Sequence, residues 1–484
     1  MSTLTFLGAV GEVTGSRYLI EVDGTNPDTF DDEEGARGGS AASHRLLLEC
    51  GIHQGGSDAE RVNAEPFGRL VETLDEVVIS HAHLDHCGLL PKLVREGYRG
   101  PIHCTLGSKA LLEITLKDAA FIMAKDVEWE NRWRNRAGKP RIQPLYDIDD
   151  VDRTLDLCQT HHFGQPATLA GGVKLVYHDA GHILGSAIVE LAIPSGGRTR
   201  RLVFSGDLGN PESALMKDPE SQRDADLVLL ESTYGDRDHR PLKETIEEFA
   251  QILEEAFEEG GNVLIPAFAI GRTQEILYHL SMLYHQGRLR QQRIFLDSPM
   301  AIRVTELYER RRSTLDPADL HALNVAAHGD PEQYLPGLRL TRSVEESMAI
   351  NRIRGGAIII AGAGMCNGGR ILHHFLYNLE RSSTRVVIVG FQAADTNGRR
   401  LVDGAGHLKV LGKDLNVRAH VHTIGGFSAH AGQADLIAWA GAFRGRPRFY
   451  LVHGEPGAQR ALQKALAITG IDAEIPVYRQ RIEL

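Results

Sequence analysis

The chain has 484 residues, 42% hydrophobic and 24% charged, a balance that excludes wholesale disorder, a collagen-like repeat and a coiled coil. With 53 Lys plus Arg against 64 Asp plus Glu, the formal charge is -11, which excludes non-specific coating of nucleic acid by bulk charge. No apolar run approaches the ~18 residues of a membrane span, the N-terminus lacks a secretory signal pattern, and the five scattered cysteines form no CxxC pair, so no membrane contact and a cytoplasmic location are expected.

The start of the chain reads as strands at Ser2–Leu7, Arg17–Val22 and Arg45–Leu48. The acidic, Gly- and Ser-rich segment Asp23–His44 between the last two is expected to be a long, exposed, mobile hairpin loop. Strand Val77–Ser80 feeds a histidine cluster, and helical spacing follows at Leu89–Glu96 and Lys109–Asn131. Further strands are expected at Val173–His178, Ala187–Ile193, Arg201–Ser205 and Asp226–Leu230.

From about Pro211 strand and helix alternate: helix Leu242–Glu259, strand Asn262–Pro266, helix Arg272–His285 and strand Arg293–Asp297. After a loop-rich stretch come strand Ala357–Ala361, helix Gly369–Glu380 and strand Arg385–Val389. The tail adds helix Gln433–Phe443, strand Arg448–Val452, helix Ala458–Thr469 and a last strand. Such alternation implies a parallel sheet covered by helices. The absence of a Pro/Ser-rich linker favours one domain inserted into another.

Among the 22 histidines the informative ones are His81-Ala-His83-Leu-Asp85-His86. Three imidazoles and a carboxylate within six residues at a strand end would be costly to desolvate without a cation. His81 and His83 project one way, Asp85 and His86 another, so one loop can feed two neighbouring metals. Imidazole plus carboxylate suits zinc better than iron or manganese. Gly181-His182 and Ser205-Gly206-Asp207 follow in order, each after a strand; alone, each would read as a turn.

This set resembles the metallo-β-lactamase superfamily, and the remaining motifs resemble its β-CASP branch, the RNA-processing nucleases that include the cleavage-and-polyadenylation endonuclease. The resemblance is carried by Leu229-Leu-Glu231-Ser-Thr-Tyr-Gly235, Ile265-Pro-Ala-Phe-Ala-Ile-Gly-Arg272-Thr-Gln-Glu275, Gly426-Phe-Ser428-Ala-His430, Leu451-Val-His453-Gly-Glu455 and Ala361-Gly-Ala-Gly-Met365-Cys-Asn-Gly368-Gly369-Arg370. It spans nearly the whole chain. It implies a four-layer αββα metallo-β-lactamase domain from 1–210 and 408–484, with an inserted α/β β-CASP domain at 211–407 that covers it like a lid and leaves a cleft for RNA.

The resemblance also implies the residue roles. His81, His83 and His182 match ligands of a first zinc, and Asp85, His86 and His453 those of a second. Asp207 would bridge the two, with a hydroxide between the metals as nucleophile. Asp85, Glu231 and His430 would form the catalytic set, Glu231 orienting His430 and His430 protonating the leaving group. Gly368, Gly369 and Arg370 open a helix and would face the RNA backbone, with Arg272 and Ser428 as further RNA contacts. His373 and His374 read as packing or partner-contact residues. Where the family has Asp before Cys-Gly, this chain has Glu49, one methylene longer, so its support of a ligand histidine is expected to be shifted or indirect.

The expected function is thus a ribonuclease with two zinc ions per chain, acting on single-stranded RNA as an endonuclease and leaving 5′-phosphate and 3′-hydroxyl ends. A homodimer and RNA-processing proteins are the candidate protein partners. The competing readings are a 5′-3′ exoribonuclease, a DNA nuclease of the same family and a small-molecule hydrolase. His453 favours RNA over DNA, the long insertion disfavours a small-molecule hydrolase, and the lack of an accessory C-terminal domain favours internal cutting. A catalytically dead scaffold is disfavoured because every ligand is present.

Overall fold

The computed structural model describes residues 1–23, 44–330, 333–393 and 395–484. The expected hairpin loop at 23–44 therefore lies, but for its two end residues, outside the described residues. The chain divides into two compact units. One comprises Met1–Gly209, Asp218–Asp238 and His430–Leu484; the other comprises Asn210–Lys217 and His239–Ala429.

The first unit holds two seven-stranded sheets. One runs in the order Arg481–Glu483, Thr3–Phe6, Tyr18–Val22, His44–Leu48, Glu76–Val78, Ile102–Thr105 and Cys158–His161. The other runs Ala473–Glu474, Arg448–Val452, Leu227–Glu231, Arg198–Phe204, Ala187–Ser195, Lys174–Asp179 and Ala167–Thr168. Alternate residues of both sheets meet in one core, in which Phe6, Tyr18, Leu46 and Val78 pack with Val189, Leu202, Phe204 and Leu229. On the far face of the second sheet, Ile188, Val203, Val228 and Leu230 pack against Leu436 and Trp439 of helix Gln433–Gly441 and Leu462 and Leu466 of helix Pro456–Ile468. Strand Leu227–Glu231 is buried along its whole length, as a parallel strand covered on both faces must be. Helices Leu90–Arg95, Leu106–Arg136 and Ile148–Leu157 accompany the first sheet, completing an αββα arrangement.

The second unit is built on six parallel strands in the order Leu338–Leu340, Arg293–Leu296, Ala357–Ala361, Val263–Pro266, Arg385–Ile388 and His420–Thr423. Their side chains alternate between two cores. Val263, Ile265, Ile358 and Ile360 meet helices Leu242–Glu258 and Arg272–His285, whereas Leu264, Ile359, Val386 and Ile388 meet helix Ile371–Asn378.

The stretch read as loop-rich after Asp297 is helical instead. Helices Pro299–Arg310, Pro317–Ala326 and Val344–Ile350 fill it. Ser298, Asp316 and Ser343 cap their free N–H groups, and the first two have Pro at the first turn, where its missing N–H costs nothing. No helix among the described residues is long and apolar enough to cross a membrane, and the five cysteines are free and buried.

Candidate metal centre

Most metal-seeking side chains of the first unit sit at or shortly beyond the C-terminal end of a strand. The buried strand Glu76–Val78 runs through Ile79 and Ser80 into His81, and His83 then opens the one-turn helix Leu84–Cys87 that carries Asp85 and His86. His182 follows strand Lys174–Asp179, Asp207 follows Arg198–Phe204, Glu231 closes Leu227–Glu231, and His453 follows Arg448–Val452. His430 precedes helix Gln433–Gly441 and is held by a bridge to Gly209. The turn into Asp207 requires glycine: Gly206 has φ +56, and a Cβ there would stand 2.8 Å from the Ala187 carbonyl.

These loops bring His81, His83, His182 and Asp207 into one group, and Asp85, His86 and His453 into a second. In the first, His83 Nδ1 lies 3.1 Å from His81 Nε2 and 3.2 Å from His182 Nε2. Asp207 Oδ2 lies 3.4 Å from His81 Nε2 and 3.6 Å from His182 Nε2. In the second, His86 Nε2 lies 3.2 Å from His453 Nε2, and His453 Nε2 3.5 Å from Asp85 Oδ2. Asp207 joins this group through its other oxygen, Oδ1, 3.3 Å from His86 Nε2. A tetrahedral ion with bonds of ~2.1 Å sets its ligand atoms ~3.4 Å apart, the spacing found in both groups. Asp207 Oδ1 is buried without a hydrogen-bond partner in the described structure, an arrangement a cation relieves.

Burial pushes the pKa of His81 down to about 3 and that of His83 to about 4, so both are neutral at pH 7, the form that binds metal. Asp207 moves well below the usual carboxylate value. Burial opposes its ionisation, but His453, His86 and His81 outweigh it.

Outer contacts fix which nitrogen each ring offers. Glu49 Oε2 lies 2.5 Å from His86 Nδ1 and 3.0 Å from Ser80 Oγ, which in turn lies 3.0 Å from His81 Nδ1. With His86 Nδ1–H donating to Glu49, and His81 Nδ1–H donating to Ser80 as Ser80 donates to Glu49, both rings turn Nε2 inward. Glu49 also accepts the Ser80 N–H at 2.6 Å. Its contact with His86 is direct, so the extra methylene is accommodated; Glu49 adopts φ +66 at this point. His453 Nδ1 meets Thr233 Oγ1 at 3.1 Å, leaving Nε2 for the second group. Ser80 and Thr233 were not singled out in the sequence. Their only signal was a hydroxyl next to or near a strand end.

His430 belongs to neither group. Its Nδ1 lies 3.3 Å from Glu231 Oε1, which also accepts the Leu208 N–H at 2.7 Å. Burial lowers the pKa of this imidazole, but the charge and hydrogen bond of Glu231, with Asp207 behind it, raise it above its ordinary value overall.

The residues expected to touch RNA lie in the second unit. Gly369, at φ +73, admits no side chain, because a Cβ would stand 2.2 Å from the Gly362 carbonyl; Gly368 has open space. Arg370 is committed internally: its guanidinium meets Asp297 Oδ1 at 2.6 Å and the Thr341 and Arg342 carbonyls. Arg272 is buried and paired with Glu275. Both arginines thus have partners within their own unit. Ser428 is buried, its carbonyl accepting from Asn210 and Ser213. His374 is fully buried with Nε2 2.7 Å from Asp297 Oδ2, whereas His373 is exposed.

Comparison with known proteins places this geometry. Residues 44–260 match the beta-lactamase superfamily domain, 273–401 the Beta-Casp domain, and 414–476 the Zn-dependent metallo-hydrolase RNA specificity domain. The chain is 40% identical over 477 residues to Ribonuclease TTHA0252 of Thermus thermophilus, covering 98% of each. The chain belongs to the β-CASP family of the metallo-β-lactamase superfamily. As a β-CASP protein it is an enzyme, a metal-dependent hydrolase. Transcription termination factor FttA of Methanocaldococcus jannaschii is 28% identical over 461 residues, which cover 93% of this chain and 67% of that one. A crystal structure of a protein of unknown function from Enterococcus faecalis shares the fold over both full chains, with a TM-score of 0.52 at 11% identity.

Proposed function

We propose that this β-CASP protein is a zinc-dependent endoribonuclease that hydrolyses phosphodiester bonds of single-stranded RNA, leaving 5′-phosphate and 3′-hydroxyl ends. The observation that carries the reading is the pair of ligand groups sharing Asp207, with His430 beside them on Glu231. The ribonuclease name of the relative at 40% identity and the match to the RNA specificity domain support RNA as substrate.

His81, His83 and His182 would hold one zinc ion, Asp85, His86 and His453 a second, and Asp207 would serve both. Bound there, the two ions would supply Lewis-acid stabilisation of phosphate charge and lower the pKa of water towards ~7. His430 gives its proton to the leaving 3′ oxygen, and Glu231 holds the imidazole by Nδ1 so that Nε2 is the proton-bearing end. Asp207, Asp85 and Glu49 balance the positive charge of the centre. The backbone at Gly368 and Gly369 is proposed to meet RNA phosphates, with Arg370, Arg272 and Ser428 holding their surroundings in shape.

The test is zinc analysis of the purified chain together with cleavage assays on long RNA of defined 5′ ends, on DNA, and on a β-lactam and a thioester. Two zinc ions per chain and internal cuts in RNA are expected. Stepwise release of nucleotides from the 5′ end would make the chain an exonuclease. Hydrolysis of the small substrates without RNA cleavage would overturn the reading.

A further inference from the structure

Helix Leu106–Arg136 has 31 residues, about 46 Å at 1.5 Å per residue, and only its first half has a core to pack on. Leu111, Leu112, Leu116 and Ala120 are buried, whereas between Phe121 and Arg136 only Asn131 is. The distal half nevertheless carries large apolar side chains in solvent: Phe121 is 62% exposed, Trp129 75% and Trp133 53%. Steps of four residues along 121, 125, 129 and 133 set them on one side of the helix. Exposed apolar groups gathered in this way mark an interaction surface.

The charge around them is equally unusual. Residues 131–141, Asn-Arg-Trp-Arg-Asn-Arg-Ala-Gly-Lys-Pro-Arg, contain five cations and no acid in a chain whose net charge is -11. Glu128 and Glu130 pair with Arg132 and Arg134. Arg136, Lys139 and Arg141 have no ion pair among the described residues. Lys139 Nζ stands 4.6 Å from the centre of the Trp133 ring. Flat aromatic faces beside unpaired cations are the two components of a single-strand binding platform. Bases stack on the rings, and phosphates neutralise the cations.

We propose that the distal part of this helix and the turn after it form a second surface for single-stranded RNA, on an element that carries none of the metal-centre residues. Trp129 and Trp133 stack on bases; Arg136, Lys139 and Arg141 meet phosphates. The surface anchors a long RNA while another stretch of it is cut, an inference that rests on the ribonuclease reading above.

The chain supplies its own probe. Of its three tryptophans, Trp439 is buried, so emission changes report on Trp129 and Trp133. Titration with a cleavage-resistant phosphorothioate oligouridylate should quench the emission. Trp129→Ala and Trp133→Ala should each weaken binding about five-fold or more, the lower end for loss of one stacked base. The triple variant Arg136→Gln, Lys139→Gln, Arg141→Gln should lower the salt slope of log affinity by about 2, at ~0.7 per lost phosphate contact. Circular dichroism and zinc content check that the variants are folded. No quenching, in a protein that still cleaves RNA, overturns the surface and leaves the ribonuclease reading standing. Absence of both binding and cleavage overturns both. Quenching by vesicles containing anionic lipid but not by the oligonucleotide makes the face a membrane contact and overturns the proposal. So does self-association of the wild type that the tryptophan variants lose.

Discussion

Glu49 Oε2 lies 2.5 Å from His86 Nδ1, and neither side chain is exposed to solvent. Burial pushes the Glu49 pKa up, while His86 and Ser80 pull it back by donating to the carboxylate. The same carboxylate reaches His81 through Ser80. One glutamate therefore sets the tautomer of a histidine in each ligand group. Glu49→Gln cannot accept from both partners with the same charge. It is expected to weaken zinc affinity about 10- to 100-fold, the usual effect of losing an outer carboxylate partner. Competitive zinc titration of wild type and variant measures this. Equal affinity would mean that Glu49 does no more than fill space.

Asp207 offers one oxygen to each group. Asp207→Ala should therefore loosen both ions, and metal analysis should find fewer than one zinc per chain after gentle purification. Chelation of the wild type should lower its Tm, because Asp207 Oδ1 is then left buried without a hydrogen-bond partner. A variant with full zinc content would remove Asp207 from its shared role.

Asp297 is fully buried and its pKa is lowered to about 2. Burial alone would raise it; hydrogen bonds from His374, Ser347, Thr341 and Arg370 outweigh that. The depressed carboxylate contributes stability above its unfolded pKa of ~3.9 and loses it as pH falls towards ~2. A shift of that size corresponds to about 2–3 kcal/mol. Asp297→Asn should lower unfolding stability by that amount at pH 7, and the gap to wild type should narrow below pH ~4. Urea unfolding at neutral and acid pH tests this; a gap independent of pH would leave the charge of Asp297 without effect.

The metal centre was legible in the sequence because its densest part is local. His81, His83, Asp85 and His86 fall within six residues, and each remaining member follows an apolar strand that ends in a turn. What orients them was not legible. Thr233 meets His453 across 220 residues, and nothing in its neighbourhood announces the contact. Arg370 is expected from its place at a helix start to face RNA, and the sequence gives no sign of its partner Asp297, which lies 73 residues earlier, at the end of a strand. The three helices after Asp297 stand where the sequence reading has only a loop-rich stretch, although two of them open on prolines, Pro299 and Pro317. The caps Ser298 and Asp316 beside them turn the same prolines into start signals.

The two tail histidines separate chemistry from metal binding. His453 Nε2 lies among the second group of ligand atoms, with Nδ1 held by Thr233. His430 Nδ1 instead faces Glu231, 3.3 Å away, and is 3.9 Å from the nearest Asp207 oxygen. Glu231 raises its pKa, the direction a proton donor requires. His430→Ala should lose about 10²- to 10⁴-fold in cleavage rate, the usual contribution of a general acid, while keeping its zinc. His453→Ala should lose zinc from one site together with activity. Glu231→Gln should resemble His430→Ala in kind, with intact zinc and slower cleavage, because it removes the charge that tunes the imidazole but not a ligand. Turnover and zinc content measured on the same three preparations test all of this. Zinc loss in His430→Ala but not in His453→Ala would reverse the two roles. Full zinc and full activity in both would place neither histidine in the site.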